Sequence, residues 1–306
     1  MVQVKTFWQW ADFLTQQCET KAKTPCYVNL DETSVPRSAG KAAGFVAPKR
    51  LWPGRAAPRR PVQKQHKRAA VTYISLITNL PHMQPKLPQI FLCNERIIPA
   101  WALGSPDLEK PGTVSFWRGK SGWNNVAKML LVLQKLRDAF AENEDLQPIL
   151  ILDCVGCHIH PAVVAKAQDL HVWLLVVPAR LTFLLQPLDV YAFAPFKACL
   201  TKLLLEAEDE GGKLEVIQWM NCLCSTVRKF WCSRKWKAAF LCTGVVPGGP
   251  LTQDLHHLAV ARALSPSSPL EPPDVEAVQA IFPRRCYVPY VSLFWLPADL
   301  DPPLVT

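Results

Sequence analysis

No apolar run in this 306-residue chain approaches the ~20 residues that a membrane-spanning helix needs. The first residues, MVQVKTFWQWADF, contain neither the apolar stretch nor the cleavage site of a secretory signal. The eleven cysteines form no regular framework, and their odd number does not suit a complete set of disulfide pairs. We therefore expect an intracellular protein with reduced thiols and no membrane contact.

Acidic residues are absent between Thr33 and Asn94, where eleven Lys and Arg residues lie. The rest of the chain holds 23 basic and 25 acidic residues, so the net charge of +9 originates in this segment. Residues 36–69 are also rich in Pro, Gly and Ala without sustained periodicity, which predicts a long loop. The block favours a polyanion partner, with nucleic acid first, although a merely solvated loop explains it equally well.

Seven basic side chains of this loop are candidate DNA-phosphate contacts, and Trp52 is available for stacking on a base. They are Arg50, Arg55, Arg59, Arg60, Lys64, Lys67 and Arg68. Because such a block also suits a nuclear-import signal, we expect a location in the nucleus.

Apolar periodicity predicts alternating strands and helices. The predicted strands are 26–31, 69–78, 88–95, 148–153 and 171–178. The predicted helices are 1–20, 123–140, 161–168 and 189–206 with an interruption at Pro195, and residues 213–242 are predicted to form one or two helices. Residues 104–122 are rich in turn formers. Strands first, then strands alternating with helices, predict an α/β fold with a mixed sheet flanked by helices on both faces.

Three acidic side chains lie at the ends of apolar elements. Asp31 ends the first strand, Asp153 ends the run ILIL, and Asp189 begins the helix after LLQPL. Adjacent strands of one sheet can bring the first two together, and a packed helix can add the third. Clustered carboxylates repel one another, and Mg²⁺ or Mn²⁺ relieves that repulsion because these ions prefer oxygen ligands. Two such ions can activate water or a 3′-hydroxyl at a phosphodiester.

Each aspartate taken singly also has a structural explanation, and singly that explanation is favoured. Asp189 suits a helix N-cap, Asp153 a turn after a strand, and Asp31 a solvent-facing position beside Glu32.

The sequence around the aspartates changes this balance. The blocks YVNLDETSV, LILDCVGCH and VVPARLTFLLQPLDVYAFAPFK follow one another in this order, and thirty-five residues separate Asp153 from Asp189. They resemble the catalytic domain of the pogo/Tigger/jerky group of DDE-superfamily endonucleases, relatives of mariner transposases and centromere protein B. The resemblance spans residues 25–245, and LLQPLD is its most specific part.

This resemblance implies a ribonuclease-H-like fold and a metal-dependent DNA endonuclease or transposase. It implies that Asp31, Asp153 and Asp189 are catalytic and hold two Mg²⁺ or Mn²⁺ ions. His158, Gln186 and Lys197 match supporting positions of the motifs, and His158 is a candidate for orienting a phosphate or a ligand. We expect DNA as the partner and no small-molecule cofactor, and we leave a homodimer open.

The resemblance also suggests how the chain is divided into domains. We expect an N-terminal helix and linker at 1–24, the endonuclease domain at 25–245 with the basic insertion 36–69, and a Pro-rich tail at 246–306.

Some residues depart from the family pattern. Cys154 stands where the family usually has Asn, Arg180 and Leu181 replace Asn and Thr, and Pro195 lies in the third-aspartate helix. The sequence begins only 30 residues before Asp31, so we expect no counterpart of the family's N-terminal DNA-binding region within it. The alternative function is therefore a catalytically inactive relative that binds nucleic acid through residues 37–68.

Two other sites compete for the residues after Asp153. Cys154, Cys157 and His158 form a CxxCH haem-attachment pattern, and with His160 they form a crowded zinc set. The pattern directly follows a buried strand, and zinc ligands usually come as two separated pairs, so we disfavour both.

Overall fold

The computed structural model describes residues 2–39, 71–211 and 214–255. The seven candidate DNA contacts between Arg50 and Arg68 and the tail after residue 255 lie outside these ranges. Within them, no helix combines the length and the apolar character that crossing a bilayer requires.

The described residues form a six-stranded mixed sheet in the order β4-β3-β2-β1-β5-β6. The strands are β1 Thr24–Val35, β2 Val71–Thr78, β3 Gln89–Asn94, β4 Val114–Gly119, β5 Leu146–Asp153 and β6 Trp173–Val177. The first three strands pair antiparallel, whereas β5 and β6 run parallel to β1. This antiparallel meander, extended by parallel strands beside β1, is the ribonuclease-H-like α/β topology, and it confirms the predicted fold class.

Helices cover the sheet. They are α1 Val2–Thr20, α2 Ala100–Leu103, α3 Val126–Ala139, α4 Pro161–Asp169, α5 Thr182–Leu185, α6 Phe193–Gly211, α7 Val216–Thr226 and α8 Lys237–Cys242. All residues of β6, and all of β5 before Asp153, are buried, as expected for strands covered on both faces. Helix α1 packs on the same core, where the indole of Trp8 donates to the carbonyl oxygen of Thr243 over 3.0 Å.

Two sheet elements differ from the sequence-based predictions. Strand β1 does not end at Asp31 but continues to Val35, because its last residues pair with β2 as far as Val71. Strand β4 lies within the stretch predicted as turns. It pairs parallel with β3 at the edge of the sheet, where only Val114 and Phe116 are buried.

The predicted interruption at Pro195 is wrong. Helix α6 runs through Pro195, which is its third residue. Just before α6, residues Leu188–Ala192 form a π-helical turn, in which the N–H of Phe193 donates to the carbonyl oxygen of Leu188. A wider turn leaves room for a ring that would otherwise clash with the carbonyl four residues earlier.

Candidate active site

Asp31 and Asp153 lie at the same level of two neighbouring parallel strands. Asn29 of β1 pairs with Ile151 of β5, and each acid follows its strand's residue of this pair by two positions. Asp31 is only 9% exposed, whereas Asp153, at the end of β5, is half-buried. The sheet therefore places both carboxylates side by side where β5 ends, four residues before the end of β1.

A buried asparagine joins the segment that carries Asp189 to these two strands. It lies in the π-helical turn, whose first residue Leu188 donates its N–H to Oδ1 of Asn29 over 2.8 Å. The amide nitrogen of Asn29 donates to the carbonyl oxygen of Ile151 over 3.1 Å. One fully buried side chain thus links β1, β5 and the segment that carries Asp189.

The surroundings of Asp31 shift the pKa of its carboxyl group. Burial raises its pKa well above the usual value because the charged form loses hydration, and the negative charges of Asp189, Glu32 and Asp153 raise it further. The N–H of Glu32 donates to Oδ1 of Asp31 over 2.7 Å, which opposes these effects in part. The carboxylates of Asp189, Glu32 and Asp153 therefore lie close enough to Asp31 to disfavour its ionised form.

Burial also raises the pKa of Asp189, and the charge of Asp153 adds to the shift. Hydrogen bonds with Thr182 and with Asp31 lower it, as does the positive charge of Lys197. The carboxyl groups of Asp31 and Asp189 therefore lie close enough to affect each other's ionisation.

His158 is the centre of a second set of contacts beside the aspartates. Its Nδ1 lies 2.5 Å from Oδ1 of Asp153 and its Nε2 lies 3.0 Å from Oε1 of Glu32. Burial by itself disfavours the charged imidazole, but the hydrogen bonds to both carboxylates and their charges raise the pKa of His158 well above its usual value. Because an ionised carboxylate only accepts hydrogen bonds, each ring nitrogen of His158 acts as a donor. Asn124 also donates to Oε1 of Glu32, over 2.5 Å.

The carboxylates suit a hard divalent cation in chemistry, but they do not form a ready-made set of three ligands. A divalent cation would relieve the mutual repulsion of Asp31 and Asp189, because such ions prefer carboxylate oxygens as ligands. Oδ1 of Asp153 instead accepts from His158 and from the N–H of Val155. Within the part of the chain that the structure describes, no group of three or more His, Cys, Asp or Glu residues is arranged to hold a metal ion.

The other two supporting residues flank Asp189. Gln186 is fully buried and donates from Nε2 to the carbonyl oxygen of Leu30 over 3.3 Å, and its Oε1 has no hydrogen-bond partner among the described residues. Lys197 is exposed, with its ammonium group 6.0 Å from the ring centre of Phe193. Gln186 therefore supports the strand that carries Asp31, and Lys197 supplies positive charge near Asp189.

The structure adds residues to the site that the sequence analysis did not assign. Asn29 connects the three carboxylate-bearing segments, and Glu32 and Asn124 extend the contacts of His158. Asn29 carried one usable signal, since a polar amide inside the apolar run YVNL is costly unless it is bonded. Glu32 carried none, because its partners lie 92 and 126 residues away in the sequence.

The competing zinc and haem interpretations find no support in this arrangement. Both nitrogens of His158 are bonded to carboxylates, so neither is available to a metal. His160 acts as the N-cap of α4 and accepts from the N–H of Ala162 over 3.2 Å. No disulfide joins the cysteines within the described ranges.

No protein-family model and no curated protein matches the sequence. Similar solved structures include a "Mos1 transposase paired-end complex with left transposon end" at 16% identity and TM-score 0.38, which aligns over 79% of this chain and 62% of that chain. Another is a "Mos1 mariner paired end complex with Mn" at 15% identity and TM-score 0.40, over the same shares of the two chains. The chain thus spans less than two thirds of these structures, and at such identity the likeness concerns the fold alone.

Proposed function

We propose that this chain is a DDE-type endonuclease or transposase domain that cuts and joins DNA phosphodiesters with Mg²⁺ or Mn²⁺. The observation that carries the proposal is the placement of Asp31 beside Asp153 on neighbouring strands of a ribonuclease-H-like sheet, with Asp189 close enough for its charge to raise the pKa of Asp31. Buried acids that repel one another are costly to keep, and functional sites are where such perturbed groups concentrate. The three sequence blocks that resemble the pogo/Tigger/jerky group contain these same three residues.

Each side chain has a stated task in this proposal. Asp31, Asp153 and Asp189 would hold the cations, which when bound supply activation of the attacking oxygen and stabilisation of the leaving oxygen. His158 fixes the orientation of Asp153 through Nδ1. Lys197 adds positive charge near Asp189, where it can offset the charge of a phosphate.

The proposed binding of DNA rests on the distribution of charge in the chain. The described site is acidic, so a polyanion needs attraction from elsewhere in the chain, and the basic block from Arg50 to Arg68 supplies it in the sequence. A nuclear location and a homodimer are further parts of the proposal.

A nicking assay on supercoiled plasmid tests the activity. We expect nicking with Mn²⁺ by the wild type and none by Asp31→Asn or Asp153→Asn, with DNA binding largely retained. Asp169→Asn is the matched control, since this exposed aspartate lies at the end of α4. Nicking that survives in both site variants would rule the metal site out.

A catalytically inactive nucleic-acid-binding relative is the second candidate. It is favoured by the hydrogen bonds that occupy Oδ1 of Asp153, next to Cys154 in place of the family's Asn. Under this proposal the folded wild type does not nick, and DNA affinity depends on the basic loop. Neutralising Arg59, Arg60, Lys67 and Arg68 should then flatten the salt dependence of binding. An unchanged slope would count against a role for the loop.

A further inference from the structure

The large apolar side chains that remain exposed are concentrated at the edge of the sheet that carries the acids. Seven are exposed in the described part of the chain, and five of these follow the carboxyl ends of β3, β4, β5 and β6. They are Trp101, Trp123, Val155, Phe183 and Tyr191. Since these four strands all run in the direction of β1, the five side chains lie around the end of the sheet that bears Asp31 and Asp153.

A cleft of about 690 Å³ opens at this end of the sheet, and its lining includes Glu32, the residue next to Asp31. Its floor is polar and comes from β1 and β2, where Ser34 pairs with Thr72. One wall is the loop after β3, with Arg96, and the loop after β4, with Trp123. The opposite wall is Val155, two residues beyond Asp153. The volume lies in the range of small-molecule sites, which is ample for a nucleotide.

Trp123 presents a flat aromatic ring on a well-anchored loop. Its side chain is 77% exposed, yet its N–H donates to the hydroxyl of Ser121 over 3.1 Å and its carbonyl accepts from the ammonium of Lys128. Gly122 packs against β3 so closely that a Cβ there would lie 3.3 Å from the carbonyl oxygen of Leu92. An exposed ring on a fixed backbone is a platform on which any base can stack.

The charge around the cleft suits a phosphate next to that base. Arg96 lines the cleft, and its N–H donates to Oδ1 of Asn94 over 2.8 Å, which fixes the backbone at its base. The lining carboxylate, Glu32, is held by hydrogen bonds with Asn124 and His158, and Arg96 is the cation of this lining that can meet a phosphate.

From this juxtaposition we propose that the cleft is a subsite for one unpaired nucleotide of the DNA substrate, with its base stacked on Trp123 and its phosphate at Arg96. This rests on the proposed function, because it assigns the nucleotide to the strand whose phosphodiester reaches Asp31 and Asp153. A base inside a duplex already stacks on its neighbours and cannot cover the Trp123 ring, so the subsite selects unpaired substrate. Asn124, Glu32 and His158 link the Trp123 loop to Asp153.

The test is DNA binding measured without divalent cations, so that it does not depend on cleavage. Fluorescence anisotropy compares a fully paired duplex with the same duplex carrying a short unpaired 3′ end. We expect Trp123→Ala to weaken binding of the unpaired substrate about ten-fold and to leave the duplex unchanged, and Trp123→Phe to keep most of the affinity. Trp101→Ala is the matched control, because Trp101 is 63% exposed on α2 and is not among the residues that line the cleft.

A second readout follows the base directly. 2-Aminopurine at the unpaired position should be quenched by the wild type and not by Trp123→Ala. Equal losses of affinity on both substrates, or a wild type without preference for the unpaired one, would overturn the subsite. A wild type that binds and quenches but never nicks would remove the catalytic proposal and leave the subsite standing. If the wild type nicks DNA and Trp123→Ala binds the unpaired substrate as tightly as the wild type does, the catalytic proposal stands and the subsite is overturned.

Discussion

The Nδ1 atom of His158 lies 2.5 Å from Oδ1 of Asp153, five residues earlier in the sequence. The same ring reaches Glu32 on β1 through Nε2, at 3.0 Å, while only 1% of the histidine is exposed. Both partners are carboxylates, so the ring is an imidazolium between two negative charges. It therefore joins the end of β5 to β1 at the residue next to Asp31.

Replacing His158 should cost much more than replacing its neighbour His160. His158→Asn removes the cation and leaves two half-buried carboxylates close together, so we expect the free energy of unfolding to fall by about 2–3 kcal/mol. His160→Asn keeps an N-cap that can accept from the N–H of Ala162, so its change should stay within about 0.5 kcal/mol. Urea unfolding at pH 7 measures both. Equal losses would mean that the His158 contacts contribute little.

Asp31→Asn should stabilise the cation-free protein at pH 7. Since the pKa of Asp31 is raised in the folded state, its contribution is most favourable below the ordinary pKa of ~3.9 and is lost as the pH rises towards the folded pKa. Asparagine keeps the acceptor for the N–H of Glu32 without the charge. We expect a gain of about 1–2 kcal/mol at pH 7 and almost none at pH 4.

Divalent cations extend the same experiment. Mn²⁺ should raise the melting temperature of the wild type and of the Asp169→Asn control, because a ligand that binds only the folded state stabilises it. Mn²⁺ should leave the melting temperature of Asp31→Asn almost unchanged. A variant that responds to Mn²⁺ as the wild type does would show that the ion binds elsewhere.

A strand can be predicted from the sequence when its own residues reveal it, and cannot when its pairing with a distant strand decides its limits. Strands β5 and β6 were predicted correctly because each is a continuous apolar run covered on both faces. Strand β4 was missed because only Val114 and Phe116 are buried, and because its pairing with β3 is not visible locally. The end of β1 was placed too early, since Val35 is held in the strand by Val71 across the basic loop.

The site divides in the same way. Asp31, Asp153 and Asp189 are predicted from local sequence motifs, and the strand register places Asp31 beside Asp153. Glu32 carries no local signal of a role in the site, because its contact with His158 joins residues far apart in the sequence. No spacing rule could have paired the two.

Gly244→Ala should destabilise the docking of α1. Gly244 has φ +74°, and a Cβ there would lie 2.6 Å from Nε1 of Trp8, the atom that donates to Thr243. Strained backbone and displacement of a buried ring together should cost about 3 kcal/mol. Gly112→Ala is the control, with open space around its Cβ position and an expected change within about 0.5 kcal/mol. Thermal unfolding of the two variants side by side measures the difference, and similar melting temperatures would contradict the packing argument.

Four buried thiols should make the fold sensitive to alkaline pH. Burial raises the pKa of Cys18, Cys26, Cys93 and Cys224 to about 12 in each case. In the unfolded chain these thiols ionise near their ordinary pKa of ~8.5, while the folded protein keeps them protonated. The unfolded state therefore binds fewer protons above that pH, and the free energy of unfolding falls by about 1.4 kcal/mol per pH unit for each thiol until the folded pKa is reached.

Urea unfolding under reducing conditions from pH 7.5 to pH 10.5 measures this slope. Replacing Cys93 and Cys224 together by Ala should make it shallower by about 3 kcal/mol per pH unit in the ionising range. Both substitutions also leave cavities, so Leu133→Ala serves as the control. It removes a fully buried apolar side chain and should lower stability equally at every pH. A cysteine variant with the wild-type slope would show that these thiols ionise alike in the folded and unfolded states, which their burial argues against.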